Sequence, residues 1–215
     1  MYLPFISADK QTVLGHYGVA QLSGAIAATP TALDPHASFR WSAAMAQNGR
    51  YAVIQRIRVG WACISAITTA VRMAYQASIA RGFTVDYSSG NTQVNMAAVV
   101  KTQTMRSSNM SPSLMGTTGP QITTTGAMSG QTLTLDAVPF AITNWNVPAI
   151  LTGTVSVPAG VAGNMQTLYE RGADGFHPVV LGSNEGVVIQ LTHTGWASGT
   201  VSLYCEWTWA EVLAI

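Results

Sequence analysis

The feature that most constrains the fold is a row of large apolar residues at every second position near the C-terminus. The row consists of Val201, Leu203, Cys205, Trp207 and Trp209. A period of two separates the two faces of an extended strand, whereas a helix repeats about every 3.6 residues. With a shorter apolar row at 187–191 and a Trp-Ala-Ser-Gly turn at 196–199, the pattern predicts a β-hairpin.

A second alternating pattern begins near residue 39. Apolar side chains alternate over 39–45, an Asn-Gly pair follows at 48–49, and the alternation resumes over 51–63. Asn-Gly is typical of a two-residue hairpin turn, because both positions take positive φ. We therefore predict a second hairpin, whose longer strand carries Arg56 and Arg58 on a solvent face.

The stretch 65–83 allows two interpretations. Its alanines suit a helix, but the apolar residues at alternate positions from 71 to 79 also fit a strand. No helix cap precedes the stretch, which favours the strand. Further short strands are predicted in the Thr-rich segment 122–135 and at 151–160, with a long polar loop at 105–120.

Many short strands with turn residues between them indicate an all-β chain. We predict one antiparallel β-sandwich over residues 36–215, with a jelly roll as the variant to consider. Residues 1–35 do not fit this pattern. Their glycines and prolines predict an extended N-terminal arm that reaches a neighbouring subunit, and a disordered tail is the equal alternative.

Charged residues are scarce in this chain. Only 9% of the residues are charged and 48% are hydrophobic, whereas about 25% charged residues is ordinary for a soluble domain. A neutral surface with a net charge of +1 suits a protein that packs against neighbours. The ten Lys and Arg residues form no stripe, so nucleic-acid binding is not expected. We expect no membrane span, since no apolar run reaches 18 residues, and no secretory signal, since the start MYLPFISADK lacks a basic segment followed by an apolar one.

The residue types that carry catalysis or bind metals are dispersed. None of the four histidines pairs with another ligand at metal-binding spacing; they are His16, His36, His177 and His193. Glu206 with Glu170 or Asp174 is a conceivable glycosidase pair, but solvated strand faces are the preferred interpretation. No nucleophile elbow or phosphate-binding loop is present. We therefore predict that the chain is not an enzyme and has no catalytic, cofactor-binding or metal-binding residues.

Two further groups of residues each leave an alternative open. Cys63 and Cys205 lie in apolar, strand-like surroundings, so we predict buried thiols, with a disulfide between adjacent strands as the alternative. The aromatic cluster could stack sugars in a lectin-like groove or anchor the core or an interface; it consists of Trp196, Tyr204, Trp207 and Trp209. The second interpretation is favoured, and no small-molecule ligand is expected.

The C-terminal third resembles a group of virion proteins of tailed phages. Its run LYERGADGFHPVVLGSNEGVVIQ and the closing strand SLYCEWTWAEV carry the resemblance. The matching residues are Asp174, Pro178, Leu181, Asn184, Glu185, Gly186, Glu206, Trp207, Glu211 and Val212. The stretches 50–61 and 123–140 are similar to the same group more weakly. The chain departs from the pattern by having Trp207-Thr208-Trp209 where a single Trp is usual, and His177 before the proline.

The resemblance implies a structural part of the virion. The first hypothesis is a capsid decoration or cement protein, made in the host cytoplasm and carried on the capsid surface. Its partners would be the major capsid protein and copies of itself, as a homotrimer. The second hypothesis is a tail or baseplate subunit that contributes to receptor binding. A depolymerase is disfavoured, because a facing pair of carboxylates is not evident.

Overall fold

The computed structural model describes residues 13–43, 46, 49–93, 100–101, 120–147, 165–172 and 178–213. Within these ranges the regular elements are all strands, and there is no helix of the length and hydropathy needed to cross a membrane. The strands are β1 (Val13–Leu22), β2 (Pro35–Trp41), β3 (Tyr51–Ser65), β4 (Val71–Val85), β5 (Asn91–Gln93), β6 (Val100–Lys101), β7 (Gln121–Thr123), β8 (Thr132–Leu135), β9 (Ala141–Val147), β10 (Gln166–Glu170), β11 (Val179–Leu181), β12 (Glu185–Leu191) and β13 (Thr200–Val212).

The strands form two antiparallel sheets packed face to face. The first sheet has the order β10-β3-β13-β1-β6, with β11 also beside β3. The second has the order β5-β7-β2-β12-β4, and both β8 and β9 pair with β4. Apolar residues from both sheets share one core, so the predicted antiparallel β-sandwich is confirmed.

The strand pairs are nested. β1 pairs with β13, β2 with β12, β3 with β10 and β4 with β9, as in the two arms of one long hairpin. Folding this hairpin over itself brings β13 beside β3 and β12 beside β4. As a result, β1 to β4 alternate between the two sheets, and β12 and β13 also lie in opposite sheets.

This nesting corrects the two predicted hairpins. The predicted strands are present, but β2 and β3 lie in opposite sheets, and so do β12 and β13. Turns do occur near the expected places, with Gly49 at φ 69° and Gly199 at φ 82°. A period of two shows that one face of a strand is buried, but it does not show which strand lies alongside. Here the apolar rows of successive strands face each other across the core.

The strand interpretation of the stretch 65–83 is confirmed from Val71 onward, while 66–70 connect β3 to β4. β4 runs from Val71 to Val85, and its inward side chains Met73, Tyr75 and Ala77 are fully buried. The Thr-rich segment also contains short strands, β7 and β8. The strand predicted at 151–160 lies outside the described residues, as does the loop at 105–120 except for Pro120.

Residues 13–34, which the sequence assigned to an extended arm, belong to this chain's own sandwich. β1 lies between β13 and β6, and beyond it Ile26 forms a bridge with Val201. Tyr17 is buried and its ring stacks on Trp209 with centroids 5.6 Å apart. The strand was not evident from the sequence because its outward positions hold Gly18 and Ala20, which disguise the alternation. Residues 1–12 lie outside the described part.

The two sheets differ in what covers their outer faces. On the second sheet, Val188 and Ala80 point outward but are fully buried. Phe83, Tyr87 and Met128, from the segments that surround β5 to β8, form a second apolar cluster over them. On the first sheet, a small cluster around Val53 covers only the end of the face that is near Val212. The opposite end of that face is exposed.

Candidate functional site

The aromatic cluster lies mostly in the core. Trp196, Trp207 and Trp209 are fully buried, and only Tyr204 is exposed, at 38%. Trp207 donates a hydrogen bond from Nε1 to Oε1 of Gln21 at 2.9 Å, so its polar atom is satisfied inside the sandwich. Because sugar stacking needs exposed ring faces, these three tryptophans do not form a lectin-like groove. The core interpretation is confirmed for them.

The carboxylate of Glu206 is held by two arginines of the same chain. Arg56 approaches one oxygen at 2.7 Å and Arg58 the other at 3.2 Å. These residues lie on the outer face of the first sheet, and Glu170 on β10 is the register partner of Arg56. Asp174 lies outside the described residues. Glu206 is therefore paired with arginines, and Glu170 lies opposite one of these arginines in the sheet, so the two carboxylates do not form a facing acid pair.

The three described histidines, His16, His36 and His193, lie on different parts of the chain's fold. His16 lies on β1, where burial and the nearby charge of Arg171 lower the pKa of its imidazole. His36 is buried on β2, with Nδ1 3.3 Å from the hydroxyl of Tyr75, and burial lowers its pKa to about 4. His193 donates from Nδ1 to the carbonyl of Thr194 at 2.6 Å. His177 lies outside the described residues. In the part of the chain that the structure describes, no group of three His, Cys, Asp or Glu could hold a metal ion.

Both cysteines are free thiols. Cys205 is fully buried on the inner face of β13, and burial raises the pKa of its thiol far above the ordinary value. Cys63 is partly exposed and donates to the carbonyl of Ser65 at 2.9 Å. The prediction of thiols is confirmed over that of a disulfide, although only one of the two thiols is fully buried.

The Asn-Glu-Gly run at 184–186 joins three parts of the sandwich. Asn184 takes a left-handed conformation, with φ 57°, and its Oδ1 accepts a hydrogen bond from the backbone of Ala43 at 2.9 Å. Its carbonyl accepts another from the backbone of Phe83 at 2.8 Å. Asparagine is one of the few residues that adopt this conformation readily. Asn184 thus ties the end of β4 and the connection after β2 to the turn before β12.

The next two residues of the motif complete this junction. Glu185 accepts from the backbone of Gly182 at 2.8 Å and pairs with Arg81 at 2.7 Å. A Cβ on Gly186 would lie 2.5 Å from the carbonyl oxygen of Phe39 and 2.7 Å from the ring of Phe83. The motif therefore holds the architecture together, and its contacts give no sign of reaction chemistry.

The exposed end of the first sheet carries an uncharged surface with several exposed apolar side chains. We call it the neutral face, and it consists of Ala20, Leu22, Ala62, Ile64 and Tyr204, with the buried Gly60 between them. Leu22, Tyr204 and Gly60 lie side by side on β1, β13 and β3. Leu22 is 56% exposed and Ile64 54%. The ionic row of Glu206 and its arginines borders this face on one side.

Sequence reasoning missed the neutral face, because its members are small residues or lie on different strands. Period-two alternation identified Trp207 and its neighbours as one row, but not the β1 and β3 residues beside Tyr204. Exposed apolar side chains on a flat sheet suit contact with another protein surface, and each is worth about 1.5 to 3 kcal/mol when fully buried. Neither a protein-family model nor a curated protein matches this chain.

Proposed function

We propose that this chain is a structural subunit of a tailed-phage particle, a decoration or cement protein on the capsid surface. Its partners are the major capsid protein and copies of itself, assembled as a homotrimer. The observation that carries the proposal is the neutral face, where Leu22, Ile64 and Tyr204 are exposed on a rigid sheet. Only 9% of the residues are charged, so a contact with another protein would depend mainly on apolar burial and neutral hydrogen bonds.

The strand order supports the proposal. We propose that the sandwich is a jelly roll, with β1-β13-β3-β10 facing β2-β12-β4-β9. Double-sheet jelly rolls occur in viral capsids, lectins and cupins, so the fold alone does not choose among them. The burial of Trp196, Trp207 and Trp209 favours the capsid use over the lectin use.

The ion pairs of the described residues also favour an apolar contact. Arg56 and Arg58 bind Glu206, and Arg81 binds Asp136 and Glu185. Arg40 pairs with Asp86 at 2.8 Å. Since these side chains neutralise each other within one chain, they contribute little attraction to a charged partner. The neutral face then provides the main contact with the shell.

The first test measures binding to capsids assembled without this protein. We expect the double variant Leu22→Ser with Ile64→Ser to occupy such capsids at least tenfold less than the unchanged chain, because two apolar contacts are lost. Val138→Ser is the matched control, since Val138 is 77% exposed on the connection between β8 and β9. It should bind normally.

Equal binding of the double variant and the unchanged chain would contradict the role of the neutral face. Absence of the chain from purified particles would contradict the proposed function itself. A copy number of only a few per particle would favour the tail or baseplate subunit instead.

A further inference from the structure

The connection between β1 and β2 contains two residues in a strained backbone conformation. Thr29 has φ 61° and Leu33 has φ 68°. A positive φ is uncommon for any residue with a side chain, and it is a clear outlier for a β-branched residue such as threonine. Thr29 also precedes Pro30, and a proline further restricts the conformations of the residue before it. We call residues 29–34 the hinge.

Contacts with the connection between β12 and β13 impose this conformation on the hinge. The backbone N–H of Thr29 donates to the carbonyl of Trp196 at 2.7 Å, and the N–H of Leu33 donates to the carbonyl of Leu191 at 2.8 Å. A strained conformation persists only where the surrounding structure determines it. The folded chain therefore retains a conformational cost at the hinge.

The residues before the hinge lie along β13. β1 pairs with β13 from Val13 to Leu22, and the bridge between Ile26 and Val201 extends this pairing beyond the end of β1. We call residues 13–28 the exchange segment. Because these contacts are with a strand far along the chain, the same segment of another copy could make each of them.

Two buried side chains give the exchange segment one defined place on the sandwich. The ring of Tyr17 stacks on Trp209, with centroids 5.6 Å apart. Gln21 accepts a hydrogen bond from Nε1 of Trp207 at 2.9 Å, and its own Nε2 donates to the carbonyl of Pro120 at 3.0 Å. Such specific contacts fix where the segment binds, whichever chain supplies it.

We propose that the exchange segment passes between copies of this chain, so that β1 of one copy pairs with β13 of a second copy and the hinge extends between them. The contacts of the segment are then kept and only the hinge changes conformation, and a strained hinge favours such an exchange. Thr29 and Asp34 each precede a proline, a position that favours the extended backbone which the exchange requires. The exchange closes with two copies or with three, and it does not rest on the proposed function.

Disulfide formation between two chains tests the exchange. Gly18 and Thr208 are register partners on β1 and β13, and a Cβ on Gly18 would lie 3.9 Å from Oγ1 of Thr208. Cysteines at such directly opposite positions are close enough to form a disulfide. A Gly18→Cys chain and a Thr208→Cys chain, both with Cys63→Ser, are refolded together at high concentration and then oxidised. We expect a disulfide between residues 18 and 208 of different chains, which mass spectrometry of the linked peptides identifies.

The control replaces the Thr208→Cys chain with a Gln131→Cys chain that also carries Cys63→Ser. Gln131 is exposed on the segment before β8, which belongs to the second sheet. Only background linking between residues 18 and 131 is expected. Failure of residues 18 and 208 to link, or equal yields for the two pairs, would overturn the proposal.

Sedimentation tests the role of the hinge. Glycine adopts a positive φ readily, so Thr29→Gly should stabilise the unexchanged chain. We expect it to lower the association constant about tenfold, because strain relief no longer favours the exchange. Thr31→Gly is the matched control, since Thr31 is an exposed hinge residue that does not have a positive φ. It should change the association constant less than about twofold. An association constant that Thr29→Gly leaves unchanged, or that both variants lower equally, would refute exchange driven by the hinge.

Discussion

His36 is a buried residue whose protonation should lower the stability of the folded protein. Burial lowers its pKa from 6.5 to about 4, so the folded protein keeps the imidazole neutral. Between these values the unfolded chain binds more protons than the folded one, and stability therefore rises with pH. We expect the free energy of unfolding to fall by about 3 kcal/mol as the pH drops from about 7 to below 4, in addition to other titrations.

Urea denaturation of the protein and of His36→Asn at a series of pH values measures this effect. The variant should lose the part of the pH dependence that lies between 6.5 and about 4. If both proteins show the same slope in that range, His36 does not cause it.

Gly186 offers a second test at the scale of one residue. Its Cβ in a Gly186→Ala variant would approach the carbonyl oxygen of Phe39 to 2.5 Å, and backbone on a central strand cannot move easily. We expect a loss of about 3 kcal/mol in the free energy of unfolding. Gly126→Ala is the control, since a Cβ there meets nothing within 4 Å, and it should change stability by less than about 0.5 kcal/mol. Chemical denaturation of both variants measures these changes. Similar losses in the free energy of unfolding for the two variants would contradict the packing argument.

At the scale of elements, the strands were more predictable than their partners. The inward row from Val201 to Trp209 follows from alternation alone, because every second residue is large and apolar. The pairing of β13 with β1 and β3 depends on residues more than 130 positions away in the chain, which no local pattern reveals. The same limit applies to the candidate site: Tyr204 was noticed, but Leu22 becomes its neighbour only through the sheet.

β1 is a strand that the sequence pattern did not predict, and two substitutions test whether it belongs to the sandwich. Tyr17 faces the core beside Trp209, whereas His16 lies on the outer side of the same strand. We expect Tyr17→Ala to cost about 3 to 5 kcal/mol in the free energy of unfolding, in the range for buried aromatic residues. His16→Ala should cost less than about 1 kcal/mol. Equal, small losses would mean that residues 13–22 are an arm and not a strand of the sandwich.

At the scale of the whole molecule, only 9% of the residues are charged, so the proposed attachment to a capsid should have a distinct response to salt. At about 1 M ionic strength the Debye length is roughly 3 Å, so exposed ion pairs are screened while apolar contacts are kept or strengthened. We expect particles washed in low and in high salt to retain equal amounts of the chain, as measured by mass spectrometry against the major capsid protein. Release at high salt would show that ion pairs hold the protein on the particle.

The nesting of the strands also bears on when the protein can fold during its synthesis. β13 occupies the middle of the first sheet, between β3 and β1, yet it is translated after every other strand described here. Until it leaves the ribosome, β1 and β3 have no partner between them and Phe39 has no Trp207 or Trp209 to pack against. Unpaired apolar strands are prone to aggregate. We therefore expect the nascent chain to be prone to aggregation until β13 has left the ribosome, and the sandwich to complete its folding only from that point.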